Sequence, residues 1–394
     1  MIMETLYQYY AERGEQPTYA SFGGEEQLLK YMDLRKSVFF RLSLPSQLFS
    51  GKSLLEFGPD TGENSLVFAK WGAQLTLVEP NAAAHAFIRQ YFSDFQLHDS
   101  LTDLSEASVL GYVPHKKHDI VDAEGFIYTI QPNSAWIGKV KECLKPDGML
   151  IISYMERFGS FMELMLKAIY KTVESSKRNE HGIDVAKLLF QPKWDSINHT
   201  RTIESWYMDV IQNPFVRLKY FIEPVGLMED MLANGLRLYS SWPNYRDFLS
   251  ASWIKAPMDH MGDLNAARTF VEQSRLSHFF GRKCFLYKPM ENVSQNLELL
   301  LNSADTLAGN WSSDVCSTAL DCLDKVEIQV NDSYIASGDE QWAGIEETFE
   351  MMKSVFNMMR MNDVASLIHF CRNDKTFIST WGTPAHYAVF QNTK

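Results

Sequence analysis

Cysteine is scarce in this chain. Five occur, Cys143, Cys284, Cys316, Cys322 and Cys371, an odd number with no CxxC pair. Their spacing predicts neither a disulfide framework nor a metal site, and a reduced, cytoplasmic setting is the expectation. Basic charge is also in short supply. Lys and Arg total 37 against 49 Asp and Glu, for a formal net charge of -12. No basic stripe is visible that could replace phosphate counterions, so no nucleic-acid partner is expected. Uninterrupted apolar runs are missing too: nothing approaches the ~18 residues of a membrane span. Met1 to Gln16 lacks the apolar centre of a signal peptide. There are no internal repeats and no low-complexity tracts.

What the sequence does contain is an ordinary globular composition over 394 residues, 45% hydrophobic and 22% charged. That length suffices for two or three domains. Residues 1–50 read as a helical cap. From residue 51 short apolar strands alternate with helices: Ser53–Phe57, Leu75–Glu79, Phe95–Leu97, His118–Ala123 and Met149–Tyr154 are the expected strands. This alternation predicts a doubly wound, mostly parallel α/β sheet. It stops at residue 154, and 155–222 reads as a helical insertion, expected to form a lid. Strand character returns at Leu236–Ser241 and Lys283–Lys288, so 223–290 is expected to complete a seven-stranded core. Residues 291–394 are helical again and acidic, with Ile345, Phe349, Met352, Phe356 and Met359 at helical spacing. The Met-rich part of this region reads as helix core, with a homodimer face through the C-terminal helices as the alternative. The aromatic ending Trp381–Tyr387 is expected to dock on the body.

The strongest chemical signal is Leu55-Glu56-Phe57-Gly58-Pro59-Asp60-Thr61-Gly62-Glu63-Asn64. Glycines at 58 and 62 let the backbone turn tightly at a strand end and approach a ligand. The following helix presents unpaired N–H groups there. Glu79 ends the next strand, where an acid can accept hydrogen bonds from ribose hydroxyls. A nicotinamide or flavin fold would want GxGxxG; here the glycines are spaced GxxxG, with Glu56 on the strand before them.

That pattern resembles motif I of the class I S-adenosylmethionine (SAM)-dependent methyltransferases, E/D-x-G-x-G-x-G. Val78-Glu79-Pro80-Asn81, His118 through Gly125, and Leu144-Lys145-Pro146-Asp147-Gly148 through Ile152 are similar to the family's later motifs in order and spacing. The resemblance implies a Rossmann-like fold with SAM as cofactor. It places Gly58, Pro59, Gly62 and Asn64 around the methionine moiety, with Glu56 orienting that loop, and Glu79 with Pro80 at the ribose. Asp99 and Ser100 fall at the adenine, and Ala123, Glu124 and Gly125 beside the sulfonium. The family's middle glycine is Asp60 here, which would either crowd the methionine end or point away from it. Tyr31 and Arg35 precede the loop and are candidates to cap it or to touch substrate; Arg157, as an anion partner, and Trp206, an aromatic of the insertion that would either shape the acceptor pocket or pack in the core, are further candidates for substrate contact. Tyr128 and His199 are the candidate bases. The layout also resembles stand-alone bacterial methyltransferases of surface-polysaccharide biosynthesis. The implied activity is methyl transfer to a small-molecule or glycan (sugar-containing) acceptor. The alternative is a catalytically inactive scaffold whose acidic tail engages a partner.

Overall fold

The computed structural model describes residues 5–14, 24–177, 182–199, 201–246, 260–282, 284, 286, 290–335 and 342–393. The chain folds into two compact units. One comprises residues 1–154, 224–267 and 386–394, and the other comprises 155–223 and 268–385.

The first unit is built on a seven-stranded sheet. Its strands are β1 (Ser53–Phe57), β2 (Gln74–Val78), β3 (Leu101–Ser105), β4 (His118–Ala123), β5 (Leu144–Met155), β6 (Leu236–Trp242) and β7 (Ala385–Asn392). Their order is β3-β2-β1-β4-β5-β7-β6. β1 pairs in parallel with β2 and β4, β4 with β5, and β2 with β3, whereas β6 and β7 run antiparallel. Leu54, Leu55 and Phe57 are all buried, as a parallel strand covered on both faces requires. Strand order reverses between β1 and β4. In an open α/β sheet the crevice outside the carboxyl ends at that reversal is the ligand position.

Side chains alternate across the sheet, and one face decides the rest. Leu54, Leu75, Leu77, Ile120, Ile151 and Val389 pack there against the helices Glu25–Arg41, Glu63–Lys70 and Ala82–Asp94. Phe39, Phe49, Phe68 and Trp71 form an aromatic knot beneath them, with ring centroids 5.1–5.9 Å apart. Two residues further along the same columns stand Glu56, Asp122 and Tyr387. The apolar face therefore turns acidic at its carboxyl-terminal rim.

Two expected strands are corrected. Phe95–Leu97 is not a strand: it closes the helix Ala82–Asp94, with Phe95 as C-cap and Gln96 at φ 54°. Those apolar side chains pack on the core from a helix end, and the strand follows at Leu101–Ser105 with little buried surface. The expected strand at Lys283–Lys288 lies largely outside the described residues, where Cys284 and Leu286 alone are described and neither is in a strand. The seventh strand is Ala385–Asn392, the alternating stretch that closes the chain.

The second unit is helical. The helix Phe161–Ser176 is buried on nearly all sides and packs against Glu291–Gly309, which packs in turn on Ser313–Ile335. Residues 155–222 thus share one apolar core with the C-terminal helices. Ile345, Phe349, Met352, Phe356 and Met359 enter that core from the helix Trp342–Arg360, as their spacing predicts. The segment Trp381–Pro384 leads the chain towards β7 and passes between glycines. A Cβ on Gly281 would run into the Trp381 carbonyl oxygen, and one on Gly159 into that of Thr383. Lys193 is wholly buried and donates to the carbonyls of Phe377 and Thr380, so it fastens the start of this segment.

Gly281 also has φ +60°. Gly281→Ala should therefore lower stability by more than about 2 kcal/mol, because rigid backbone has to move. Thermal denaturation of the variant reads this directly, and an unchanged midpoint would contradict the close passage.

Candidate cofactor site at the strand ends

The β1–helix turn has the backbone its sequence requires. Gly58 (φ +64°) and Gly62 (φ +94°) occupy left-handed conformations, as does Asp60 between them (φ 49°). Aspartate is one of the few side chains that tolerates this region. A Cβ on Gly58 would come 2.7 Å from the Phe126 ring, so the β4 loop lies directly against this glycine. Gly62 caps the helix Glu63–Lys70, whose first N–H groups face the turn.

Glu79, directly after β2, joins two loops. Its carboxylate accepts from the Asp60 N–H (3.1 Å) and from the Asn81 N–H (2.8 Å). Asn81 in turn caps the helix Ala82–Asp94 by accepting from Ala83 N–H. Burial pushes Glu79 up to about 7; the negative charge of Asp60 adds to the rise, while the two backbone donors oppose it. The charge of Asp60 thus acts on the β2 side of the turn. Pro80 sits between Glu79 and the Asn81 cap, half-buried.

Arg35 organises the second half of the site. Its guanidinium makes a bidentate pair with Glu124, Nη1 to Oε2 at 2.8 Å and Nη2 to Oε1 at 2.5 Å. It lies over the rings of Phe39 and Phe68. Tyr387 donates to the same carboxylate at 2.9 Å. Burial alone would raise Glu124, but Arg35 and these hydrogen bonds hold it below its ordinary value. One helical turn before Arg35, Tyr31 donates to Asn64 Oδ1 at 2.7 Å. The helix Glu25–Arg41 therefore grips both loops, one through Tyr31 and the other through Arg35.

Around this single guanidinium stand further buried acids. Glu56 is 2% exposed and accepts from Ser65 Oγ at 2.5 Å. Burial pushes it up to about 8, against the Ser65 hydrogen bond. Asp122 is fully buried directly across the β1–β4 ladder from Glu56. Burial and the charges of Glu124 and Glu56 drive its carboxyl well above the usual range. Among the described residues no donor reaches either Asp122 oxygen; a proton held on Asp122 is shared with Glu124.

The remaining expected residues are placed as follows. Ala123 is buried at the end of β4, and Gly125 follows it with φ +80° and its N–H on Ser153 Oγ (2.8 Å). Asp99 and Ser100 form a helical turn before β3, with Asp99 exposed next to His98. Pro59 lies within the turn, buried. Tyr128 is buried in the turn Ile127–Thr129. Arg157, Trp206 and His199 belong to the helical unit. There Arg157 pairs with Glu298 (2.7 Å), Trp206 packs on Phe190 and Trp194, and His199 is exposed and stacked on Trp194 (4.9 Å). Asp122, Ser65 and Tyr387 had no assigned role in the sequence reading. Position could have flagged Asp122, since it stands in register with Glu56 on a strand otherwise apolar.

The arrangement fits a cofactor carrying positive charge at one end and a ribose at the other. Asp122 holds buried oxygens with no donor, the acids outnumber the guanidinium, and Glu79 stands at the neighbouring strand end.

The family profile described as "Methyltransferase domain" matches residues 29–241, more than half of the chain. No curated protein matches it. Among solved structures, PKMT2 from Rickettsia typhi in complex with AdoHcy is 18% identical over 56% of this chain and 46% of its own, with a TM-score of 0.40. The glycopeptide N-methyltransferase MtfA complexed with SAM is 16% identical over 33% and 52%, with a TM-score of 0.28. TehB from Haemophilus influenzae is 14% identical over 38% and 46%, with a TM-score of 0.26. The chain thus spans about half the length of these structures. With its strand order, its glycine turn and the profile match in agreement, the chain belongs to the methyltransferase-domain family.

Proposed function

We propose that this enzyme methylates a small-molecule or sugar-containing acceptor at the carboxyl ends of β1, β2 and β4. The observation that carries the reading is the acid-lined strand-end site, whose Glu79 and Gly58–Gly62 turn fit SAM. A net charge of -12 opposes a phosphate backbone and leaves compact acceptors favoured.

In this reading Gly58, Pro59, Gly62 and Asn64 border the methionine moiety, and Glu56 pins the turn through Ser65. Glu79 and Pro80 serve the ribose, Asp99 and Ser100 the adenine, and Ala123 and Gly125 the donor end. Glu124 contributes through its pairing with Arg35. When bound, SAM supplies an activated methyl group, so what the protein adds is alignment and exclusion of water. A hydroxyl acceptor also needs a proton acceptor close by. Tyr128, on the turn that follows Glu124 and Gly125, is proposed for that task within this unit; His199 is the candidate from the helical unit. Arg157 and Trp206 are proposed as acceptor contacts.

Glu79→Ala should weaken SAM binding by about 1–3 kcal/mol, the range for loss of a charge-assisted hydrogen-bond partner. Isothermal calorimetry measures it; unchanged affinity would mean that the ribose acid is misplaced. Failure of the wild-type protein to bind SAM at all would leave the scaffold reading in its place.

Glu56 gives a test through pH. Its proton is retained in the folded state up to about 8, whereas the unfolded chain releases it around 4.5. Stability from this group is therefore present at acid pH and lost as pH rises through that window. Glu56→Gln keeps an acceptor for Ser65 without the titration. Its thermal midpoint should match the wild type at about pH 5 and exceed it at about pH 8. A constant difference across the range would show that Glu56 does not carry the shifted proton.

A further inference from the structure

Asp122 is costly for the fold, and the side chain with which it shares a proton is a second acid, Glu124. It lies within a β-strand, fully buried, opposite a second buried carboxyl group. Two buried carboxyl groups facing each other across a ladder each make ionisation of the other harder, and a buried carboxyl oxygen without a donor adds to the cost. An aliphatic residue would serve the fold better. Its column continues Ile120, so its side chain rises on the face where Arg35 and the motif-I helix close, one residue short of the strand end. That is where the cofactor reading puts the methionine moiety.

Titratable groups gather near it from several elements. β1 brings Glu56, the helix Glu63–Lys70 brings Glu63, and the β4 loop brings Glu124. The helix Glu25–Arg41 brings Arg35 and Tyr31, and β7 brings Tyr387. Arg35 is the one cation acting on this group among the described residues, and both of its terminal nitrogens, Nη1 and Nη2, donate to Glu124. Glu63 accepts from Thr61 Oγ1, and Glu56 from Ser65. Asp122 is left as the acid without a counter-charge.

We propose that Asp122 is the counter-charge for the cationic methionine end of the cofactor, and that it gives up its proton to solvent as that cation binds. This rests on the cofactor reading above and adds a discrimination to it. SAM carries a sulfonium and an ammonium, whereas S-adenosylhomocysteine (SAH) keeps the ammonium and has a neutral sulfur. A site that ionises an extra acid against the sulfonium favours substrate over product. The preference grows with pH, because at higher pH less work is needed to remove the proton. Glu124, locked by Arg35 and Tyr387, holds the geometry while Asp122 supplies the charge.

The test is calorimetry of the full chain with SAM and with SAH, in two buffers of different protonation enthalpy, between about pH 6 and about pH 8. The expected result is that SAM releases more protons than SAH. SAM affinity should rise by about fivefold or more over this range, while SAH affinity changes by less than about twofold. In Asp122→Asn, SAM should bind about tenfold more weakly, SAH should be within about twofold of wild type, and the pH contrast should shrink. Removing a buried acid does not threaten the fold, so the thermal midpoint of the variant should hold or rise. Equal proton release and equal pH dependence for the two ligands in the wild type overturn the proposal while leaving the cofactor reading intact. So does an equal loss for both ligands in the variant. If the wild type binds neither ligand, the cofactor reading falls, and the proposal with it.

Discussion

The pair between Arg35 and Glu124 is the constraint on which the cofactor site depends. A buried ion pair contributes little net stability, because desolvation of both groups offsets their attraction. Removing one partner is far worse, since it strands a charge. Here the stranded charge would be a carboxylate already surrounded by Glu56 and Asp122. Arg35 therefore makes an acidic rim compatible with an apolar core, and its stacking on Phe39 and Phe68 ties it to the aromatic knot below. Through Arg35 and Tyr31 the N-terminal helix, the motif-I turn and the β4 loop become one assembly. Tyr387 adds the last strand of the chain to it.

Much of this was legible in the sequence because the signals are local. A strand, a glycine turn and a helix are adjacent in the chain, and the acid at position 79 ends the next strand. Local patterning specified β1, β2, β4, β5 and β6 for the same reason. What was not legible depended on register and distance. Tyr387 reaches Glu124 across 263 residues of sequence, and nothing near either residue announces it. β3 eluded the pattern because an edge strand with little burial has no need for apolar residues, while Phe95 and Leu97 are apolar through closing a helix. β7 was read as a docking tail. Its aromatic character was visible, but its place between β5 and β6 is a matter of topology.

The helical region shows a different limit. Helical periodicity marks which face of a segment is buried without saying what buries it. Residues 155–222 carry strong helical patterning, and the neighbours that cover them, such as the helix Glu291–Gly309, come from much later in the chain. Their aromatics had two readings, acceptor contact or core. Trp194 and Trp206 lie in the apolar core of the helical unit. Arg157, read as an anion partner, has its guanidinium on Glu298.

Asp60 joins the two ends of the cofactor site into one electrostatic pattern. A glycine in its place would satisfy the left-handed backbone without adding charge, so the aspartate is not required by the turn. Its backbone N–H binds Glu79 while its charge raises the Glu79 carboxyl. At the end of β2, then, one acid raises the carboxyl of a second, as Glu124 and Glu56 do for Asp122 near the end of β4. Both ends hold protons more firmly than isolated carboxyl groups would, and both lie at the reversal of strand order where the sheet opens. Buried acids that are protonated at neutral pH cost the fold less than ionised ones. They ionise more readily where a hydrogen-bond donor or a positive charge comes close.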